Sequence, residues 1–155
     1  MTLRGALLWT HVAFGALWIG AALCFVLAAA VLDRENGERD EFSVRAAPAI
    51  NRVGLAAAVI VIVTGLGNLW TLGISPGFRI RPDFVRILEG KLVLYAIMVI
   101  ALWASLRAAT ELIAARRDGR APELARQTGR LARFNLVMAV CGAAALSLGL
   151  WLAGT

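Results

Sequence analysis

Leu7–Leu32, LLWTHVAFGALWIGAALCFVLAAAVL, runs for 26 residues without an Asp, Glu, Lys or Arg. A helix crossing the hydrocarbon core of a bilayer needs about 20 predominantly apolar residues, and this stretch exceeds that. Working outward, the pattern recurs. Val53–Phe78 is free of charge, its apolar part being Val53–Leu72, and Phe134–Thr155 is free for 22 residues. Leu92–Leu106 is uncharged for only 15 residues, but extends if Lys91 snorkels outward and Arg107 inward. The reading is an all-α membrane protein, a four-transmembrane-helix antiparallel up-down bundle. It forms a single membrane domain, residues 1–155, with helices at about 7–32, 47–72, 83–117 and 134–153.

Composition agrees. The chain is 60% hydrophobic and 17% charged, with mean hydropathy +0.76; a soluble domain carries roughly a quarter charged residues. The first segment, with Arg4 ahead of it and Ala28–Ala30 behind, superficially resembles a signal peptide. Its apolar core is far longer than the roughly 7–15 residues of a signal h-region, so it reads as a span.

The net charge of +6 does not mark a nucleic-acid footprint, because the arginines lie in connections flanking the spans. Eleven Lys or Arg residues follow segments one and three, and five lie on the opposite side, among them Arg79, Arg81 and Arg86. The positive-inside rule then places both termini on the non-cytoplasmic side of a bacterial-type inner (plasma) membrane. Trp9, Trp70 and Trp151 fall at expected outer helix ends and Trp103 toward an inner one, as interfacial anchors do. Cys24 and Cys141 are too few for a disulfide framework; they read as buried free thiols acting as small hydrophobes.

Pro48 suits the first turn of segment two, and Gly65 and Gly67 permit close helix approach in its outer half. Pro76-Gly77 reads as a turn, and Pro82 with Asp83 opens segment three. Arg107 and Glu111 are spaced to pair on one helix face. Asp118-Gly119 breaks the chain, Glu123–Arg133 forms an amphipathic lead-in at the interface, and Gly142, Ala145, Gly149 and Ala153 suit segment four to tight packing.

One residue stands apart. His11 is the only histidine, and an ionisable imidazole at membrane depth is a functional candidate by default. By helical rise it lies about 6 Å below the outer end of its span. Asn68 falls at the same level on segment two, with Thr64 one turn deeper; Lys91 and Tyr95, four residues apart, share a face of segment three. Several chemistries suit this set. His11 could simply hydrogen-bond to Asn68 or a backbone carbonyl. Its neutral imidazole could bind haem iron, with nearby cations or Tyr95 meeting the propionates. It could join Met98, Met1 or a cysteine at a Cu(I) site, or handle quinone or protons. With a single histidine, two-histidine haem ligation within one chain is excluded. A haem would need Lys91, Met98, water, a partner chain or an open sixth position. A homo-oligomer, or a structural subunit of a larger membrane complex, also fits such a chain.

Thr10-His11-Val12 with Leu17-Trp18-Ile19-Gly20 resembles the first-helix pattern of the copper resistance D (CopD-like) membrane proteins and of the HemJ-type protoporphyrinogen oxidases. Thr64-Gly65-Leu66-Gly67-Asn68-Leu69 is similar to their second-helix ending, and Phe84–Leu92, FVRILEGKL, to the start of their third. The likeness spans Leu7 to Leu106, and the compact length favours the HemJ-like side. The resemblance implies haem b, with a first-helix histidine and a third-helix lysine as the key pair, here His11 and Lys91. Asn68 and Tyr95 would then be supporting donors. It also implies electron transfer or protoporphyrinogen oxidase-type oxidoreductase chemistry, with copper uptake or resistance as the CopD-like alternative. The chain has no further histidine, including near the end of segment three, where the HemJ pattern has one.

Overall fold

Four helices account for the described residues: α1 (Leu3–Val31), α2 (Glu38–Gly73), α3 (Pro82–Arg117) and α4 (Ala121–Gly154). The computed structural model describes residues 2–32, 37–74 and 82–154, of which 150–154 by backbone alone. The Pro76-Gly77 turn, Arg79, Arg81 and the Trp151 side chain lie outside the described residues, as does Met1. Short connections make successive helices antiparallel. α1 packs along α2 and α4, α3 packs along α4 and α2, and α1 and α3 stand diagonally opposed.

All four helices are long and apolar enough to cross a membrane. The distribution of side chains says the same independently. The outside carries Leu17, Leu23, Val59, Val63, Leu66, Ile100 and Val140, all exposed. The inside holds many alanines together with buried Ser43, Asn51, Thr64, Ser105, Gln127, Thr128 and Asn135. A water-soluble bundle places its large aliphatic residues inward. This arrangement is the reverse, and it suits lipid, where small residues and interhelical hydrogen bonds hold helices together. Trp9, Trp70 and Trp103 are 69%, 72% and 54% exposed, as interface anchors must be. The protein is a multi-pass membrane protein.

Two clusters form the interior. Trp18, Ala22, Ala57, Ala58, Met98, Leu102 and Met138 pack at mid-depth. Phe25, Ala47, Ala108, Leu112 and Leu131 pack nearer the α1–α2 and α3–α4 connections. Between them Asn51 and Ser105 join α2 to α3. Ser105 Oγ donates to Asn51 Oδ1 at 2.9 Å, and Asn51 Nδ2 donates to the Ser105 carbonyl at 3.3 Å. α1 and α4 approach closely at Gly142, where a Cβ would collide with Ile19 and lie 3.2 Å from Met98 Cε.

Several local expectations are corrected. α2 starts at Glu38, well before Pro48, which lies inside the helix. Proline removes one backbone donor there, but Phe42, Val44 and Ala47 are held in the second cluster, and packing of that segment outweighs the lost bond. Gly37 opens the helix at φ 73°, followed by Glu38, Asp40 and Glu41 in the first turn, where acidic groups suit the helix dipole. The lead-in Glu123–Arg133 is no separate element but the first part of α4. Arg107 does not pair with Glu111; its guanidinium lies 3.6 Å over the Trp103 ring, while Glu111 meets Gln127 and Arg130. Cys24 is exposed on the outer surface rather than buried, and Cys141 is partly buried against the mid-depth cluster.

The break at Asp118-Gly119 is as expected. Gly119, at φ 68°, ends α3 in a Schellman arrangement, with Arg120 N–H donating to the Ala115 carbonyl at 2.9 Å and Gly119 N–H to Arg116 at 3.3 Å. At this end the helices run beyond their apolar segments, and Glu41 joins Arg45 and Arg116 at 2.8 and 3.0 Å.

Candidate functional site

The site lies at the other end, where the apolar runs of α1 and α2 face each other. His11 Nδ1 is 3.0 Å from the Val61 carbonyl oxygen and 3.1 Å from Thr64 Oγ1. A carbonyl oxygen only accepts, so Nδ1 carries the proton. The Thr64 hydroxyl donates to the Ile60 carbonyl at 2.6 Å, which leaves its oxygen to accept from the imidazole. This tautomer leaves Nε2 with a free lone pair. Gly65 allows the close approach: a Cβ there would lie 3.2 Å from His11 Cε1. Gly67 does the same for Leu7, with a Cβ 3.2 Å from its Cδ1.

α3 contributes Lys91 and Tyr95 from its inward stripe, which continues through buried Met98, Leu102 and Ser105. Lys91 is half-buried and within electrostatic range of His11. Among the described residues no carboxylate pairs with it, and neighbouring Glu89 is exposed. Its ammonium occupies the space left by the missing side chain of Gly149: a Cβ there would be 2.8 Å from Nζ. Tyr95 ties three helices together. Its hydroxyl donates to the Ala58 carbonyl of α2 at 2.8 Å. Its ring meets Trp18 of α1 edge-on, centroids 6.2 Å apart at 84°. That contact bridges the diagonal between α1 and α3.

Asn68 does not join this group by any side-chain hydrogen bond among the described residues; its carbonyl accepts from Thr71 Oγ1 at 3.0 Å. Met98 is buried in the mid-depth cluster. No group of three or more His, Cys, Asp or Glu residues suited to a metal ion occurs among the described residues.

Thr64, Gly65 and Val61 are thus the immediate environment of the imidazole. Two turns deeper on α1, Trp18 is buried against Gly54, where a Cβ would lie 3.2 Å from its Nε1, and that indole N–H has no hydrogen-bond partner among the described residues. Spacing along one helix cannot reveal such pairs, because they depend on the register between α1 and α2. The glycines at 54 and 65, eleven apart, three helical turns, were the available signal.

No protein-family model, no curated protein and no solved structure matches this chain.

Proposed function

We propose that the chain is a CopD/HemJ-like integral membrane protein that binds haem b, with His11 Nε2 as axial ligand, and serves electron transfer or porphyrin oxidation. The observation that carries this reading is the Nδ1–H donated to the Val61 carbonyl. Ligating histidines commonly donate their other ring N–H to a carbonyl or carboxylate, which orients the ring and strengthens it as a ligand. The donor set fits the group. Nε2 is available, Lys91 has no carboxylate partner among the described residues, and the Tyr95 hydroxyl keeps lone-pair capacity after donating to Ala58.

Bound haem would supply one-electron chemistry, with a potential set by its ligand and surroundings. His11 would hold the iron through Nε2. Lys91, on the inward stripe, would meet a propionate carboxylate as the ammonium, or serve as a second ligand only as the neutral amine. Thr64 and Val61 keep the imidazole from rotating, and Trp18 with Tyr95 keeps water from the mid-depth core. Asn68 is proposed only as an outer donor. On the arginine distribution, the His11 end faces away from the cytoplasm of a bacterial-type inner membrane.

The copper reading draws less support, because Met98 is packed in the core and Cys24 faces outward. On the fourth helix Gly142 and Gly149 pack inward against Ile19 and Lys91, while Ala143, Ala144 and Ser147 are exposed, a face open to the structural-subunit reading. Pyridine haemochrome and elemental analysis of detergent-purified protein, expressed with haem supplied, separate these. Stoichiometric haem b is expected. Bound copper without haem, or neither, would refute the proposal.

A further inference from the structure

At the end of the bundle opposite His11, a cavity of about 370 Å³ opens between α1, α2 and α4. Arg39 from the first turn of α2 and Arg133 of α4 line it, together with Val26 of α1 and Gly129, Ala132 and Leu136 of α4. Small residues at 125, 129 and 132, spaced along one face of α4, leave the groove its width. No acidic side chain lines it among the described residues. Arg45, Arg116, Arg120, Arg126 and Arg130, at the same end, each meet a carboxylate. Arg133 is exposed and meets none among the described residues.

The groove straddles a chemical boundary. Arg133 is the last charged residue before the uncharged run Phe134–Thr155, and Val26 and Leu136 lie within uncharged runs. Ala125 to Leu136 spans about 16 Å by helical rise, enough to reach from headgroup level into the acyl region. Basic pockets between transmembrane helices recognise anionic headgroups, and guanidinium forks match phosphate oxygens.

We propose that this groove seats an anionic phospholipid, its phosphate between Arg39 and Arg133 and its acyl chain along Val26 and Leu136. The apolar lower half has no use for free phosphate, which is why the occupant is a lipid. This stands independently of the haem reading.

The test is the melting temperature of detergent-purified protein in mixed micelles with phosphatidylglycerol, with phosphatidylcholine, or with inorganic phosphate alone. Phosphatidylglycerol should give a saturable rise of about 5 °C that neither phosphatidylcholine nor phosphate reproduces. The double variant Arg39→Gln/Arg133→Gln should lose that rise, and Arg126→Gln should keep it. Should the double variant fold poorly, Arg133→Gln alone, at an exposed position, should at least halve the rise. Equal rises with both lipids, a rise from phosphate alone, or a phosphatidylglycerol response undiminished in Arg133→Gln would overturn the assignment.

Discussion

His11 Nδ1 and the Val61 carbonyl oxygen are 3.0 Å apart, and this one bond determines which ring nitrogen can act. The Val61 carbonyl of α2 accepts a hydrogen bond from Nδ1–H, and the Nε2 lone pair is what remains for a ligand. The Thr64 hydroxyl, 3.1 Å from the same nitrogen, holds the ring from a second direction.

Thr64→Val keeps the shape and removes the hydroxyl. Loss of a hydrogen bond that orients a metal ligand typically costs about 10–100-fold in metal affinity. Since the Val61 bond survives in this variant, the lower end, about tenfold, is expected in a haem titration followed by absorbance. Thr64→Ser should be near wild type. Equal affinities for Val and Ser variants would remove Thr64 from the site.

Gly65→Ala places a methyl 3.2 Å from His11 Cε1, so the ring must shift by a few tenths of an ångström. Haem retention should fall while the melting temperature moves little. Gly142→Ala behaves oppositely, because its methyl collides with Ile19 at the α1–α4 crossing. Overpacking of this kind costs about 1–3 kcal/mol, or roughly 2–10 °C for a chain of this length. Ile19→Ala in the Gly142→Ala background should recover much of the loss; failure to do so would place the strain elsewhere.

Asn51 and Ser105 are both fully buried and bonded to each other in two ways. A double-mutant cycle with Asn51→Leu and Ser105→Ala should give a coupling of about 0.6–1.7 kcal/mol, between the average and the maximum measured for bonds within a membrane bundle. Each single variant leaves a polar partner unsatisfied, so the double variant should be more stable than the sum of the singles implies. Additive effects would contradict the pairing.

Tyr95→Phe retains the ring against Trp18 and loses only the donor to the Ala58 carbonyl. That carbonyl lies within a helix, so the loss should stay near 1 kcal/mol in unfolding measurements. Tyr95→Ala also removes the contact bridging α1 and α3 and should cost several-fold more. Comparable losses for both variants would mean that the hydroxyl, not the ring, holds the diagonal.

The four spans were legible from uncharged runs alone, because lipid penalises every unpaired charge and exposed backbone group within them. The starts of α2 and α4 at the polar pole were not. Glu38–Ala47 looks like a charged connection, yet Phe42 and Ala47 dock into a cluster with Phe25 of α1 and with Ala108, Leu112 and Leu131, sixty and more residues further on. At the site, depth counting brought out His11, Lys91 and Tyr95 as an ensemble but could not say what each touches. Asn68 was placed by depth too, and depth says nothing about which way a side chain faces around the helix. The Val61 carbonyl carries no side-chain signal at all, so only the α1–α2 register could disclose it.

The central claim is that His11 Nε2 is a haem ligand. The most direct measurement is the oxidised and dithionite-reduced visible spectrum of detergent-purified protein, expressed with haem supplied, beside His11→Gly with and without added imidazole. A redox-sensitive Soret band in the wild type, absent from His11→Gly and restored by imidazole, is the predicted result. A colourless wild type, or a Soret band unchanged in the variant, would contradict it.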